Sequence, residues 1–298
     1  MPNTLGHIGL QTLVTRGVLR DADVKWVWAG CLLPDVPWIG QRLARATLPG
    51  ISPIDIRLYA ICQSTLLFCL VLAAALACLS ARPGRTWAIL ASGSLMHLLL
   101  DATQTKWANG VLLAAPLRWD LVNGGFYWPE DLPTLALIVL GLGVVVHAFW
   151  RLPRQGLRLV LTPGRLVGAA MLGGLYLAGP LALMPAAEAH DLHHTALLRP
   201  GAARAGQEVA FDRARVDVTP EGAQLMAWTG ARFALTGLAP QASGTWSVQG
   251  VLGDGGEIVV TALHAHPPGL RDLASYVGLA CVALWWGLCL WRPGGRRP

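Results

Sequence analysis

The sequence predicts a mainly helical, polytopic membrane protein of about five transmembrane helices. Re-entrant or short helices precede them at the N-terminus, and a small antiparallel β domain is inserted between the last two spans. Three observations predict this class. Of 298 residues, 54% are apolar and only 13% charged, a balance foreign to ordinary soluble domains. Runs long enough to cross a hydrocarbon core, which takes roughly 20 residues, recur along the chain. One interval, 186–270, breaks into short β-rich runs divided by Pro/Gly turns.

The first 56 residues contain NTLGHIGL and WVWAGCLL, the latter ending in PDVP, and neither makes a full span. They read as a re-entrant or interfacial helix pair or as two short crossings. Non-helical backbone around Pro34 and Pro37 needs protein cover or a wet cavity at membrane depth. The N-terminus lacks the basic region, apolar core and cleavage site of a removable signal peptide, so it is expected to stay in the mature protein. Spans are expected at 59–80, 86–103, 132–150, 165–184 and 272–291. Arg82 and Arg85, then Arg151, Arg154, Arg158 and Arg165, and finally Arg292, Arg296 and Arg297 cluster at span ends, which assigns all three groups to the cytoplasm. The 102–131 loop and the β-rich interval then face outward. The implied organisation is a membrane unit over 1–150, a cytoplasmic loop over 151–165, a span at 166–184, the β domain at 186–270, a span at 271–291 and a tail at 292–298.

The β-rich runs include QEVAFDRARVDV, GTWSVQGVL and EIVVTALHAH, with a GDGG turn at 253–256. Four to six strands in a barrel or sandwich are expected. An oligonucleotide-binding type of barrel fits the length, but 188–270 carries eight acidic against five basic residues, which argues against nucleic acid as a partner. The six cysteines all lie in apolar stretches without a CxxC pair, which reads as packing rather than disulfides or metal ligation.

Ionisable groups inside a membrane segment are costly and tend to have partners or a function. His97 and Asp101, spaced i, i+4, share one helix face near the outer end of their span. Gln63 lies near the outer end of the preceding span, Asp35 just before it, and His7 in the N-terminal stretch. These residues converge on one depth, and His with carboxylate ligands suits zinc, manganese or iron. Taken singly, each has a structural explanation: His97 as an interhelical hydrogen bonder, Asp101 as a span end, Asp35 as a turn between prolines.

The order MPNTLGH, GCLLPDVPW, CQST and HLLLDATQTKWANGVLLAAPLRW resembles the membrane-bound metal-dependent hydrolases of bacterial inner membranes, over roughly residues 1–150. That family is similar in motif order to zinc-dependent phospholipase C. The resemblance implies His7, Asp35, His97 and Asp101 as ligands of one or two divalent ions, zinc foremost, with Asp101 and Asp35 as candidates to bridge two ions and Asp101 taking part in catalysis. Gln63 stands where the family has histidine, before Ser64, as a weak ligand or a water-positioning residue. Gly110 and Pro116 match a downstream glycine and proline. Asp120, Glu130 and Asp131 on the outer loop are further candidates for a ligand or base.

A second set of histidines brackets the β domain: His190, His193 and His194 at its start, His264 and His266 at its end. His190 with His194, and His264 with His266, have chelating spacings, so a second metal site among these four is one reading, and interfacial histidines facing headgroups are the other. His147, on the inner side of its span, reads as structural. The expected function is hydrolysis, by metal-activated water, of an ester or phosphoester in a membrane lipid or lipid-linked substrate on the extracytoplasmic side. The alternative is a non-catalytic scaffold or metal-handling protein acting through the β domain.

Overall fold

The computed structural model describes residues 3–152, 156–202 and 205–291. Arg154, Arg292, Arg296 and Arg297, and the expected tail, lie outside the described residues. Among the described residues nine α-helices run α1 Thr4–Val18, α2 Val24–Leu32, α3 Val36–Thr47, α4 Pro53–Gln63, α5 Leu66–Cys78, α6 Pro83–Ala102, α7 Leu132–Arg151, α8 Pro163–Ala189 and α9 Leu270–Trp291.

Among the described residues, three helices, α7, α8 and α9, are long and apolar enough to cross a membrane, or four spans if α4 and α5 count as one. The expectation of five is therefore corrected at two places. The run at 59–80 is not continuous: α4 and α5 meet at a 70° bend. There the Ser64 and Thr65 hydroxyls bond back to the carbonyls of Ile61 and Cys62, giving the backbone an alternative to the helical ladder. The run at 86–103 forms α6, which is interrupted by Ser92, Ser94, His97 and Asp101 and hides its polar face behind α1 and α2. Gly30 and Gly93 meet at that crossing, where a Cβ added to Gly30 would lie 2.9 Å from backbone atoms of Leu90.

Helix α1 is packed by α2, α6, α7 and α9. Its 15 residues span about 22 Å, less than a bilayer core. The Asn3 side chain caps it by accepting from Gly6 N at 2.8 Å. Glycines let its neighbours approach to backbone contact: a Cβ on Gly141 of α7 would lie 2.2 Å from the Leu5 carbonyl oxygen, and one on Gly278 of α9 2.6 Å from Leu5 N. The bundle core gathers Leu5, Ile8, Trp28, Val145, Val282 and Trp285. At one end, Val160 N bonds Leu79 O, Leu157 N bonds Cys289 O, Arg165 bonds Ser80 O and Arg85 pairs with Asp21. The arginine-bearing turns thus share one end of the bundle, away from the β domain.

The β domain has five strands, β1 Glu208–Thr219, β2 Gly222–Met226, β3 Arg232–Gly237, β4 Gly244–Leu252 and β5 Ile258–His266, closed into a barrel in the order β1-β2-β3-β5-β4. The expectation of a purely antiparallel domain is corrected here, because β3 and β5 pair in parallel, Leu235 opposite Ile258. Closing a sheet of five strands with β4 inserted as an antiparallel neighbour of both β1 and β5 leaves β5 running alongside β3 in the same direction. Long β1 serves both β2 and β4 by bending at a bulge between Phe211 and Ala214, where Arg213 takes φ 53°. The barrel core of Val216, Leu225, Phe233, Val248 and Ile258 runs on into Ile54, Leu58 and Ile61 of α4 and Trp119 of the 103–131 loop. That shared apolar contact seats the barrel over the broken helix pair.

Candidate metal centre

The packing above determines where four polar side chains meet. His7 is one turn into α1, Asp35 ends the 3-10 turn after α2, and His97 and Asp101 share the last turns of α6. Their Nε2 and carboxylate atoms approach closely: His7 to Asp101 at 3.2 Å, His97 to Asp35 at 3.6 Å and His97 to Asp101 at 4.0 Å. The two imidazoles stack with centroids 3.9 Å apart and planes 6° from parallel. All four residues are buried, and Asp35, His97 and Asp101 line a cavity of about 220 Å³ with Ser64, Lys106 and Gly110.

The proton arrangement in this cluster favours a cation. The Cys31 carbonyl oxygen lies 2.6 Å from His97 Nδ1, and a carbonyl only accepts, so Nδ1 carries the proton. His97 Nε2 faces two carboxylates, and in the tautomer that carries its proton on Nδ1 alone a lone pair is turned toward them. Asp35 Oδ1 is buried without a hydrogen bond, an arrangement that costs about 1–3 kcal/mol or more for a charged group. A carbonyl accepting from one imidazole nitrogen, with the other nitrogen free, is the usual outer support of a metal ligand.

Cys31 itself joins this set. Its sulfur and the ring nitrogens of His7 and His97 lie within 4.8 Å of one another. Its position in an apolar run reads as packing, which its place in the bundle core bears out, while the fold, by bringing α2 against α6, also sets it where it could act as a ligand. Lys106, also unmarked by sequence reasoning, reaches back from the 103–131 loop to Asp101 Oδ2 at 3.2 Å. A lysine five residues beyond a span-end aspartate is the signal that could have found it.

Gln63 is not in the cluster. Its amide donates to the Tyr59 hydroxyl at 3.1 Å and to the Tyr176 carbonyl at 3.2 Å. Pro180, four residues on in α8, has no N–H to offer that carbonyl, and Gln63 takes its place. Of the pair at 63–64, Ser64 lines the cavity. Gln63→His is accordingly expected to leave metal content unchanged and to lower the unfolding midpoint. A gain in metal affinity would return residue 63 to the site.

The second histidine set divides in two. His194 uses both nitrogens, Nδ1 toward Asp191 at 3.2 Å and Nε2 accepting from Ala210 N at 3.0 Å, while His190 is exposed and bonds the Ala186 carbonyl at 2.9 Å. Burial alone would raise the Asp191 carboxyl, but the bonds from His194 and from Leu197 and Ala196 N–H hold it below its ordinary value. His190 and His194 are thus structural rather than part of a chelate with His264 and His266. His193, between them, is buried against Trp38, and burial together with the Arg57 guanidinium holds it neutral, well below the usual histidine range.

His264 and His266 instead meet Glu130, which precedes α7. His264 Nε2 contacts Glu130 Oε1, and His266 Nδ1 lies 3.1 Å from the same carboxylate. Ser247 Oγ donates to Asp212 at 3.1 Å and so accepts from His266 Nε2 at 2.8 Å. The other nitrogen of a neutral His266 then turns a lone pair toward Glu130. Burial lowers the His266 pKa against the opposing pull of Glu130, which disfavours a second ring proton. Trp128 stacks on His264 at 3.7 Å. Among the other loop acids, Asp120 pairs with exposed Arg118 and Asp131 caps Trp128 N.

Comparisons with models of known families, with curated proteins and with solved structures find no match to this chain.

Proposed function

We propose that the chain is a membrane-embedded, metal-dependent hydrolase of the class its N-terminal half resembles, acting on an ester or phosphoester of a lipid or lipid-linked substrate. The observation that carries the reading is Asp35 Oδ1, buried and unbonded 3.6 Å from His97 Nε2. His7, Asp35, His97 and Asp101 would hold a divalent ion, zinc by its donor set. Such an ion supplies Lewis acidity and activates water. Lys106 neutralises part of the carboxylate charge, and Ser64 and Gly110 shape the cavity where the scissile group would lie. A second ion at Glu130, His264 and His266 would tie the barrel to the start of α7. Metal analysis of the purified protein, with turnover on short-chain lipid phosphoesters before and after chelation, tests the reading. Absence of metal, or turnover indifferent to chelation, refutes it.

One observation favours a non-catalytic scaffold: Lys106 already supplies a cation to Asp101. That reading expects metal-free, inactive protein in the same experiment. The arginine-bearing end supports placement in a bacterial inner membrane with barrel and cavity outside. In a cysteine-free background, Gln241→Cys should label in intact cells and Leu161→Cys only after lysis. The reverse pattern would invert the topology.

A further inference from the structure

A second cavity, of about 350 Å³, opens between the barrel and the membrane helices and abuts the first. Both are lined by Arg57, Asn109, His193 and Asp212. Arg57 of α4 lies between two indoles, 4.9 Å from the Trp38 ring and 5.2 Å from the Trp228 ring. Its one bond runs from Nη2 to His193 Nδ1, at 2.7 Å, while its Nε is buried without a partner. Arg45 of α3 lines the larger cavity and donates to the Trp228 carbonyl at 2.6 Å. Among the described residues, neither guanidinium has a carboxylate within 4.0 Å, although Arg199, Arg213 and Arg215 nearby are all paired. Asp212, the acid lining both cavities, is held by Asn109 and Ser247.

We infer that Arg57 and Arg45, set against Trp228 of the barrel, form a binding subsite for a phosphoryl anion. A guanidinium clamped between aromatic faces keeps its planar fork in one orientation and leaves its edge for oxygen acceptors, an arrangement suited to phosphate oxygens. Two guanidiniums on one cavity match the double charge of a phosphomonoester better than a single carboxylate. The guanidiniums here, with Arg57 Nε buried and unbonded, complement the unbonded Asp35 Oδ1 that lines the adjoining cavity. A phosphoryl group at Arg57 would therefore lie next to the metal centre, which makes the barrel half of the substrate site. This consequence rests on the hydrolase reading; the binding itself does not.

The test is calorimetric titration of the full-length, detergent-solubilised protein, first stripped of metal, with inorganic phosphate and with dihexanoyl phosphatidic acid below its micellar concentration. The wild type should bind at least one of them. Arg57→Met and the exposed Arg45→Met should each weaken binding about 10-fold or more, the worth of a charge-assisted bond, with metal uptake and unfolding midpoints unchanged for Arg45→Met. Tighter binding of phosphatidic acid assigns a lipid source, and equal binding assigns free phosphate; either supports the subsite. No binding by the wild type, or equal binding by both variants, overturns it. Phosphate binding by a protein that takes up no metal would support the subsite while refuting the hydrolase.

Discussion

Asp35→Asn is expected to lower metal affinity at least 100-fold while raising the thermal stability of the metal-free protein. The two effects have one origin. Asp35 is buried, Oδ1 has no bond, and the nearest ring nitrogen, on His97, is 3.6 Å away, beyond hydrogen-bond reach. Without metal the carboxylate is an uncompensated charge, and an amide of the same shape removes it. With metal the carboxylate is a ligand, and losing one should exceed the 10–100-fold typical of losing an outer support. Asp101→Asn should behave differently, since Lys106 and His7 both bond that carboxylate. Removing it leaves a buried ammonium unpaired and costs stability with or without metal, about 3–5 kcal/mol. Unfolding midpoints of both variants, stripped and zinc-loaded, check the contrast. A metal-free Asp35→Asn less stable than the wild type would show that the charge is already compensated, as the scaffold reading requires.

The difference between these carboxylates also marks what the sequence made legible. Spacing alone places His97 and Asp101 on one helical face, and position along the chain brings His7 and Asp35 to the same depth. Which groups are already partnered depends on the 103–131 loop folding back, and no local pattern announces that Lys106 ends 3.2 Å from Asp101. The strands and turns of the barrel are legible because GDGG supplies its tight turn locally: Gly256 takes φ 82°, and Gly253 N bonds Glu257 O at 2.8 Å. Its closure is not, because β3 and β5 pair across the whole of β4. Gln63 illustrates a further limit. A polar residue in a span invites a site assignment, yet its partner is a carbonyl freed by Pro180 more than a hundred residues later. The span count failed for a related reason: apolar runs show where a helix is greasy, while the break at Ser64 and the cover over α6 depend on neighbours.

Neighbours also decide how His7 is held, and a substitution distant from every ligand should reveal it. Gly141→Ala would place a Cβ 2.2 Å from the Leu5 carbonyl oxygen and 2.6 Å from the Leu5 carbonyl carbon. These are backbone atoms of α1, so no side chain can turn aside, and α1 must move away from α7. The cost should reach or exceed about 3 kcal/mol, the upper range for overpacking. Gly143, two residues on in the same helix, has nothing within 4 Å of its added Cβ. There Gly143→Ala should be neutral or stabilise by about 0.5–1 kcal/mol, through reduced backbone freedom of the unfolded chain. Because Leu5 lies two residues from His7, the displacement at 141 should also weaken metal binding, although residue 141 touches no ligand. Midpoints and metal content of the two alanine variants, measured together, check this. Equal behaviour at 141 and 143 would mean that α1 is not clamped by α7, and the stacked pair of His7 and His97 would then need some other support.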